Sequence, residues 1–236
     1  MEFDAQWKHL VSKKSLHDRN RFKLSKERIN EFLNDIKINE HFNSSKLIKN
    51  KICLDAGCGI GRWTWAILKL NPLRLDSFDI SEEAVKLTKK INSKSFVFDI
   101  MDLKPNPVFD FVLSWNVIHH INDPRTAFSK LVSQVKKNGY LTIRVYNKDN
   151  DEIFSEGRKL FKNFSFDEKI NYCIQKIKTE GGDIHGWFDA LNPKYNYSFT
   201  QNDILEWFNE ERFSDITFIP IKSRWKPNIN VIARKN

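Results

Sequence analysis

Three glycines spaced two apart behind an acid make the stretch with the clearest chemical content. Leu54-Asp55-Ala56-Gly57-Cys58-Gly59-Ile60-Gly61 follows a short apolar run, Ile52 to Leu54, and leads into Arg62–Leu70. The pattern predicts a buried strand, a sharp turn and a helix. Glycine has no Cβ and tolerates positive φ, so such a turn lets the backbone approach a ligand closely. It also leaves the first N–H groups of the helix pointing outward, as a nucleotide-type ligand requires. Turns of this composition also occur as plain tight loops.

The spacing narrows the ligand. Gly57-x-Gly59-x-Gly61 is not the Gly-x-Gly-x-x-Gly of dinucleotide binders, and it lacks the Gly-Lys-Ser/Thr of a phosphate-binding loop. Asp55, at the strand's end, would repel a pyrophosphate and attract a cation. A small cofactor with an amino group and a sulfonium, S-adenosylmethionine, fits better than NAD or ATP. Its candidate ligands here are Asp55, Ala56, Gly57, Cys58, Gly59 and Gly61.

The following residues repeat one logic. Leu73–Asp79 reads as a second strand ending in an acid, about 20 residues beyond the glycines, where a strand-end carboxylate reaches ribose hydroxyls. Ser81 caps a helix with acids in its first turn. Ser95–Ile100 is a third strand carrying Asp99, and Phe109–Ile121 a fourth strand running into a turn. Strand, acid, helix, strand, acid, strand is the order a parallel α/β sheet demands.

On Leu54–Gly61, Asp79, Asp99 and the Phe109–Ile121 block, the chain resembles the class I S-adenosylmethionine-dependent methyltransferases over roughly residues 45–236. The resemblance implies a three-layer Rossmann-like sandwich whose seven-stranded, mostly parallel sheet ends in an antiparallel strand. It implies that residues 57–61 cradle the methionine part and that Asp79, with Ile80 beside it, holds the ribose. Asp99 and Ile100 would flank the adenine, and Trp115 and Asn116 complete the set. S-adenosylhomocysteine would be the product.

Candidate chemistry beyond the cofactor lies past the fourth strand. His119 and His120 sit where open α/β sheets place their reactive groups, and histidine is the commonest general base near neutral pH. Either could instead cap or pack the loop. Two histidines without a third ligand do not predict a metal site. Tyr195 and Tyr197 are the reserve candidates for acid–base work. Candidates for acceptor contact are Trp7, Arg144, His185, Trp187 and Asp189, although core packing would account for some of these aromatics equally well.

These residues need elements to hold them. One methyltransferase domain is expected over residues 1–236, comprising an N-terminal helical arm (1–48), a cofactor-binding half (49–147), a lid insertion (148–200), and a closing helix and strands (201–236). In the arm, Ile29, Phe32, Leu33 and Ile36 recur at helical spacing. Trp7 upstream is either part of a lid over the cofactor or a hydrophobic anchor. Asp123-Pro124 opens a helix expected to run to Lys137 and to stop at Asn138-Gly139, before a fifth strand Tyr140–Tyr146. In the insertion, helices are expected over Ile153–Phe164 and Asp167–Lys178. Beyond Gly181-Gly182 an aromatic-rich, non-repetitive loop, 183–200, reads as the acceptor lid. Trp187–Thr200 also resembles the tail of a bacterial branch associated with small-molecule or surface-polysaccharide biosynthesis. The helix Gln201–Glu211 and strands Ser214–Pro220 and Asn228–Arg234 would finish the sheet.

Composition bounds the partners. The net charge of +9 allows an anionic partner, but the lysines are scattered and no RNA-binding signature is visible, so nucleic acid is not the expected acceptor. There is no run of 18 apolar residues and no signal-peptide pattern, and the three cysteines (53, 58, 173) form neither a paired framework nor a metal spacing. A cytoplasmic monomer or homodimer is expected. The expected reaction is in-line methyl transfer to a small polar acceptor, at O or N of a metabolite or sugar. The alternatives are an RNA methyltransferase, or another use of the cofactor such as cyclisation or aminocarboxypropyl transfer.

Overall fold

The computed structural model describes residues 4–8, 44–220 and 228–236. The amphipathic segment expected at Ser25–Lys37 lies outside them. Seven strands form one sheet in the order β3-β2-β1-β4-β5-β7-β6. The strands are β1 (Ile52–Ala56), β2 (Arg74–Asp79), β3 (Ser95–Val97), β4 (Phe109–Trp115), β5 (Val135–Val145), β6 (Phe213–Phe218) and β7 (Ile229–Lys235). The first five run parallel, and β7 is antiparallel to both β5 and β6. This is the three-layer sandwich expected from the sequence.

Side chains of alternate strand residues feed two apolar layers. Leu54, Ala56, Val112, Ile143 and Val145 face α4 (Pro124–Val132) and α8 (Gln201–Glu210), whose Phe128, Leu131, Ile204 and Phe208 are wholly buried. Cys53, Phe111, Leu113 and Trp115 face α1 (Ser44–Ile48) and α2 (Arg62–Leu68) through Ile48, Ala66 and Ile67. Each fully buried side chain of this size contributes about 1.5–3 kcal/mol. Continuous burial on both faces is what forces β1 and β4 to be central and parallel.

The helix after β4 is shorter than its sequence suggests. α4 ends at Val132, and Lys136 and Lys137 belong to β5 rather than to a final helical turn. Asn138 takes a positive φ of 63° inside β5, and the β4–β5 register shifts opposite it. An irregular strand accommodates the Asn-Gly that otherwise reads as a helix stop.

Between β5 and β6 stands a separate helical layer made of α5 (Asp151–Phe161), α6 (Phe166–Glu180) and α7 (Ile184–Leu191). A capping box at Ser165 starts α6. The region 184–191 is a helix rather than the expected loop: Asp183 accepts from Gly186 N and caps it. The three helices enclose their own apolar cluster of Phe161, Ile170, Cys173, Trp187, Phe188 and Leu191. The lid is therefore internally packed, and α3 (Glu82–Thr88), capped by Ser81, stays with the sheet beside β2.

Candidate functional site

The glycine turn is bound to the end of β2. Gly57 and Cys58 both donate to Phe78 O, at 2.8 and 2.9 Å, and Gly59 N donates to Asp79 Oδ2 at 2.8 Å. Gly57 has φ 81°, and a Cβ built there would lie 2.3 Å from Val117 Cγ2. Only glycine lets the turn pass this close to Val117, two residues past β4. Thr88 Oγ1 holds the far side by donating to Gly59 O at 2.7 Å.

The acids divide by burial. Asp55 is 1% exposed and accepts from Thr64 Oγ1 at 2.6 Å. Burial, with Asp79 nearby and Thr64 opposing, raises its carboxyl to about 7. It braces the turn from behind, where the sequence suggests a carboxylate attracting a cation from the front. Asp79 accepts one backbone N–H on each oxygen, from Gly59 and Ser81. Burial raises its carboxyl too, against those hydrogen bonds. Each oxygen retains lone-pair capacity after one N–H, so this half-buried carboxylate can still accept hydroxyl protons. Asp99 caps a 3-10 turn at Ile100–Asp102 through Met101 N, and Ile100 is 4% exposed within the core. Cys58 is buried, and burial raises its thiol first, so it packs the turn rather than reacting. Ile80 stands exposed beside Asp79.

At the end of β4, Trp115 meets Trp63 edge-on at 5.6 Å, and the Arg144 guanidinium lies 5.2 Å from the Trp115 ring centroid. Asn116 adopts φ 58°, and its Oδ1 accepts from Asn228 at 3.3 Å. A left-handed asparagine here turns the chain abruptly from β4 into Val117 and the histidines.

His119, His120 and Asp189 are brought together, although 69 residues separate His120 from Asp189 in numbering. His120 Nδ1 lies 3.0 Å from Tyr195 O, and its Nε2 lies 3.6 Å from Asp189 Oδ2. Tyr146, one residue past β5, donates its hydroxyl to the same Asp189 oxygen at 3.2 Å and packs its ring 3.8 Å from His119. Burial alone would raise the Asp189 carboxyl. The neighbouring His120, first, outweighs it and holds the group well below the usual carboxylate range. His119 is wholly buried, and its desolvation and the neighbouring His120 push its ring well below the ordinary histidine range, so it stays neutral. Both of its ring nitrogens lack a hydrogen-bond partner among the described residues.

The two tyrosines serve differently from their sequence reading. Tyr195 supplies its backbone carbonyl, and Tyr197, 40% exposed, turns its hydroxyl away to Asn122 O. Tyr197 N donates to His119 O, and Phe199 bridges to Asn147, so this return strand ties the lid to the ends of β4 and β5. Trp187 lies in the lid's apolar cluster with Nε1 donating to Gly181 O. Tyr146, the last residue of the expected fifth strand, is not among the sequence candidates; its place at that strand's C-terminal end is the signal that points to it.

Residues 4–8 form a short helical segment. Asp4 accepts from Ser81 Oγ, Gln6 Nε2 donates to His185 Nδ1 at 3.0 Å, and Trp7 stands 4.8 Å from the His185 ring. A Cβ on Gly59 would lie 3.1 Å from Trp7. Trp7 and His185 thus link the glycine turn to the lid. Among the described residues no group of three or more metal-ligating side chains occurs.

A doubly wound α/β sheet that carries a glycine turn and a strand-end acid at the end of its central strands belongs to the class of Rossmann-like folds. The model of a family described as a methyltransferase domain matches residues 18–216, and the chain belongs to that family as a class I, Rossmann-like S-adenosylmethionine-dependent methyltransferase. A tRNA U34 carboxymethyltransferase of Mannheimia succiniciproducens is 27% identical over 146 residues, 57% of this chain and 46% of the relative. A ubiquinone biosynthesis O-methyltransferase of Pelagibacter ubique is 30% identical over 142 residues, 57% of each chain. The chain spans about half the length of such curated relatives. The N-methyltransferase NodS of Bradyrhizobium japonicum, in complex with S-adenosyl-L-homocysteine, superposes with a TM-score of 0.61 at 12% identity, covering 100% of this chain and 99% of NodS. The 1,6-didemethyltoxoflavin-N1-methyltransferase of Burkholderia thailandensis gives 0.56 at 18% identity, covering 100% and 89%. At those identities the likeness shows the fold. Among the described residues no helix is long and apolar enough to cross a membrane.

Proposed function

We propose that the enzyme methylates a small polar acceptor bound between the strand ends and the helical lid. The observation that carries this reading is the polar cluster of His119, His120, Tyr146, His185 and Asp189, held under a lid that is tied to the cofactor turn through Gln6 and Trp7. A cleft covered on this side suits a small molecule better than a polymer. The cofactor supplies an electrophilic methyl group on a sulfonium. The chain's own residues do the rest. Gly57–Gly61 let the backbone come close, and Asp79 accepts from ribose hydroxyls. Ile80 and the Asp99–Ile100 turn border the adenine end. The lid excludes water and fixes the acceptor in line, which is where most of the rate enhancement of such a transfer arises.

The test is calorimetric titration with S-adenosylmethionine and S-adenosylhomocysteine, followed by an acceptor screen reading S-adenosylhomocysteine release. Tight binding with release dependent on a small acceptor supports the reading. Methylthioadenosine instead of S-adenosylhomocysteine would sink methyl transfer and support aminocarboxypropyl chemistry.

A second reading, an RNA acceptor, is favoured by the relatives named tRNA U34 carboxymethyltransferases together with the net charge of +9. Bulk tRNA retained on filters at physiological salt, with affinity falling steeply as salt rises, would support it.

A further inference from the structure

We propose that His120, held as an imidazolium between the sheet and the lid, is the positioning residue that seats the lid, and that this seating depends on pH. The lid is held while the ring keeps both of its protons and is loosened when it gives one up. The proposal adds regulation to the lid of the methyl-transfer reading above and rests on that reading for its functional meaning; the joint itself is tested without an acceptor.

Three pieces of chain meet at this ring. His120 stands on the 3-10 turn Ile118–His120 that follows β4. Its Nδ1 lies 3.0 Å from the backbone carbonyl of Tyr195, on the segment that returns from the lid. Its Nε2 lies 3.6 Å from Oδ2 of Asp189, on α7. The His120 side chain is 5% exposed and that of Asp189 19%, so water does little to soften what these groups feel. A carbonyl and a carboxylate only accept. A neutral imidazole has one N–H and one lone pair, so it serves one of these partners and turns its lone pair on the other. The imidazolium has two N–H groups and serves both. The geometry therefore selects the charged ring, and through it ties α7 and the return segment to the end of β4.

The groups around the pair are arranged to match. Burial would raise the Asp189 carboxyl, but His120 outweighs it and holds the carboxyl well below the usual carboxylate range. Tyr146, just past β5, donates to the same Asp189 oxygen at 3.2 Å and keeps the carboxylate in place. His119, on the same turn, is pushed well below the ordinary histidine range by burial and by His120, so it adds no second charge. His185, one turn before Asp189 on α7, has its Nδ1 3.0 Å from the Gln6 amide nitrogen. On the return segment Lys194 lies 5.0 Å from the Tyr195 ring centroid. Arg158 of α5 and Arg144 of β5 are the opposing cations. Arg158 is engaged by Asp151 at 3.3 Å and by Ala190 O at 3.0 Å, and Arg144 lies over the Trp115 ring.

The direction of the pH effect follows from the two charges. The pair is complete only while Asp189 is ionised and His120 is protonated. Asp189 keeps its charge below the ordinary carboxylate range, so moderate acid leaves the joint intact. On the alkaline side the ring loses a proton, and a lone pair then faces the carboxylate. The attraction that seats α7 is present at lower pH and is lost as pH rises through the titration of the ring.

Two measurements on the wild type test this. The first is a titration of the histidine-labelled protein by two-bond proton–nitrogen spectra, from about pH 5.5 to about pH 9, either side of the ordinary histidine range. Ring signals are assigned through the backbone. A doubly protonated His120 ring is expected at the acid end, and a ring that is neutral there, as that of His119 should be, overturns the proposal. The second is amide exchange over the same range, corrected for the intrinsic rate. Protection of α7 should fall about 10–100-fold in step with the His120 titration, while β4 stays protected. Titration of the ring with equal α7 protection at both ends overturns the proposal. His120→Gln, neutral throughout, should lower α7 protection at the acid end and abolish the pH step, and Asp189→Asn should do the same. A step that persists in both folded variants assigns it to another group and overturns the proposal. Failure of the folded wild type to bind S-adenosylhomocysteine sinks the methyl-transfer reading instead and leaves the joint standing.

Discussion

At the residue scale the two strand-end acids make opposite predictions. Asp79 presents a carboxylate whose oxygens are each half used by backbone N–H groups. Asp79→Ala removes the acceptors proposed for the ribose, and charged hydrogen bonds contribute about 1.5–3 kcal/mol each. S-adenosylhomocysteine affinity should fall on the order of 10²-fold by calorimetry, and unchanged affinity would remove Asp79 from the site. Asp55 is a matter of stability. Its folded carboxyl titrates at about 7, above the ordinary 3.8, because burial disfavours the charge. The folded chain then holds a proton that the unfolded chain has released. The stability this proton provides is present below about pH 4 and is lost as pH rises through 7. Relative to Asp55→Asn, which keeps the Thr64 contact without titrating, the wild type should lose up to about 4 kcal/mol across that window. Urea unfolding at pH 4.5 and 7.5 for both proteins measures it. A constant difference between them would refute the assignment.

At the scale of elements, the cofactor turn is shaped from outside itself. Gly57 combines φ 81° with Val117 pressed against its missing Cβ. Gly57→Ala meets two costs, the left-handed backbone at about 1–2 kcal/mol and the clash. We expect a lower melting temperature and loss of cofactor binding. Adding Val117→Ala should recover part of the stability, because only the clash is relieved. The lid behaves as one packed body. Trp187 looked equally suited to a ligand or to a core, and it joins Phe154, Phe161 and Phe188 inside the helical layer. Trp187→Ala should cost about 3–5 kcal/mol in the lid. Amide exchange would then rise across α5–α7 first, before the sheet. Uniform exchange would mean that lid and sheet unfold together.

At the scale of the whole molecule, residues 4–8 join three parts: the start of α3 through Asp4 and Ser81, the glycine turn through Trp7 and Gly59, and the lid through Gln6 and His185. Cofactor binding and lid order should therefore be linked. Trp7→Ala should weaken S-adenosylhomocysteine binding by about 10-fold, or ~1.4 kcal/mol, and should shrink the protection that the ligand gives to α7. A full ligand-induced rise in melting temperature in this variant would show that the segment only anchors the chain.

What the sequence determined by itself is the local part. Ile52–Leu54 before three alternating glycines, acids at strand ends and helices capped by Ser81 and Asp123 are set by φ preferences, hydrophobic period and side-chain capping within a few residues. Those features were enough to place the first strands and the glycine turn along the chain; the seven-stranded sheet was what the family resemblance implied, and its strand order comes from the structure. Tertiary structure decided everything that depends on distant partners. Lys136 reads as the end of a helix, yet Val135 pairs with Phe109 and makes the stretch a strand. Asp55 and Asp79 have the same chemistry and a similar place, but one is buried and accepts from Thr64, while the other is half-buried and accepts from the Gly59 and Ser81 backbone. Tyr146, His120 and Asp189 become one unit only because the lid folds back over β4 and β5. No pattern of spacing encodes that approach, because burial and pairing energies depend on neighbours in space and not on neighbours in the chain.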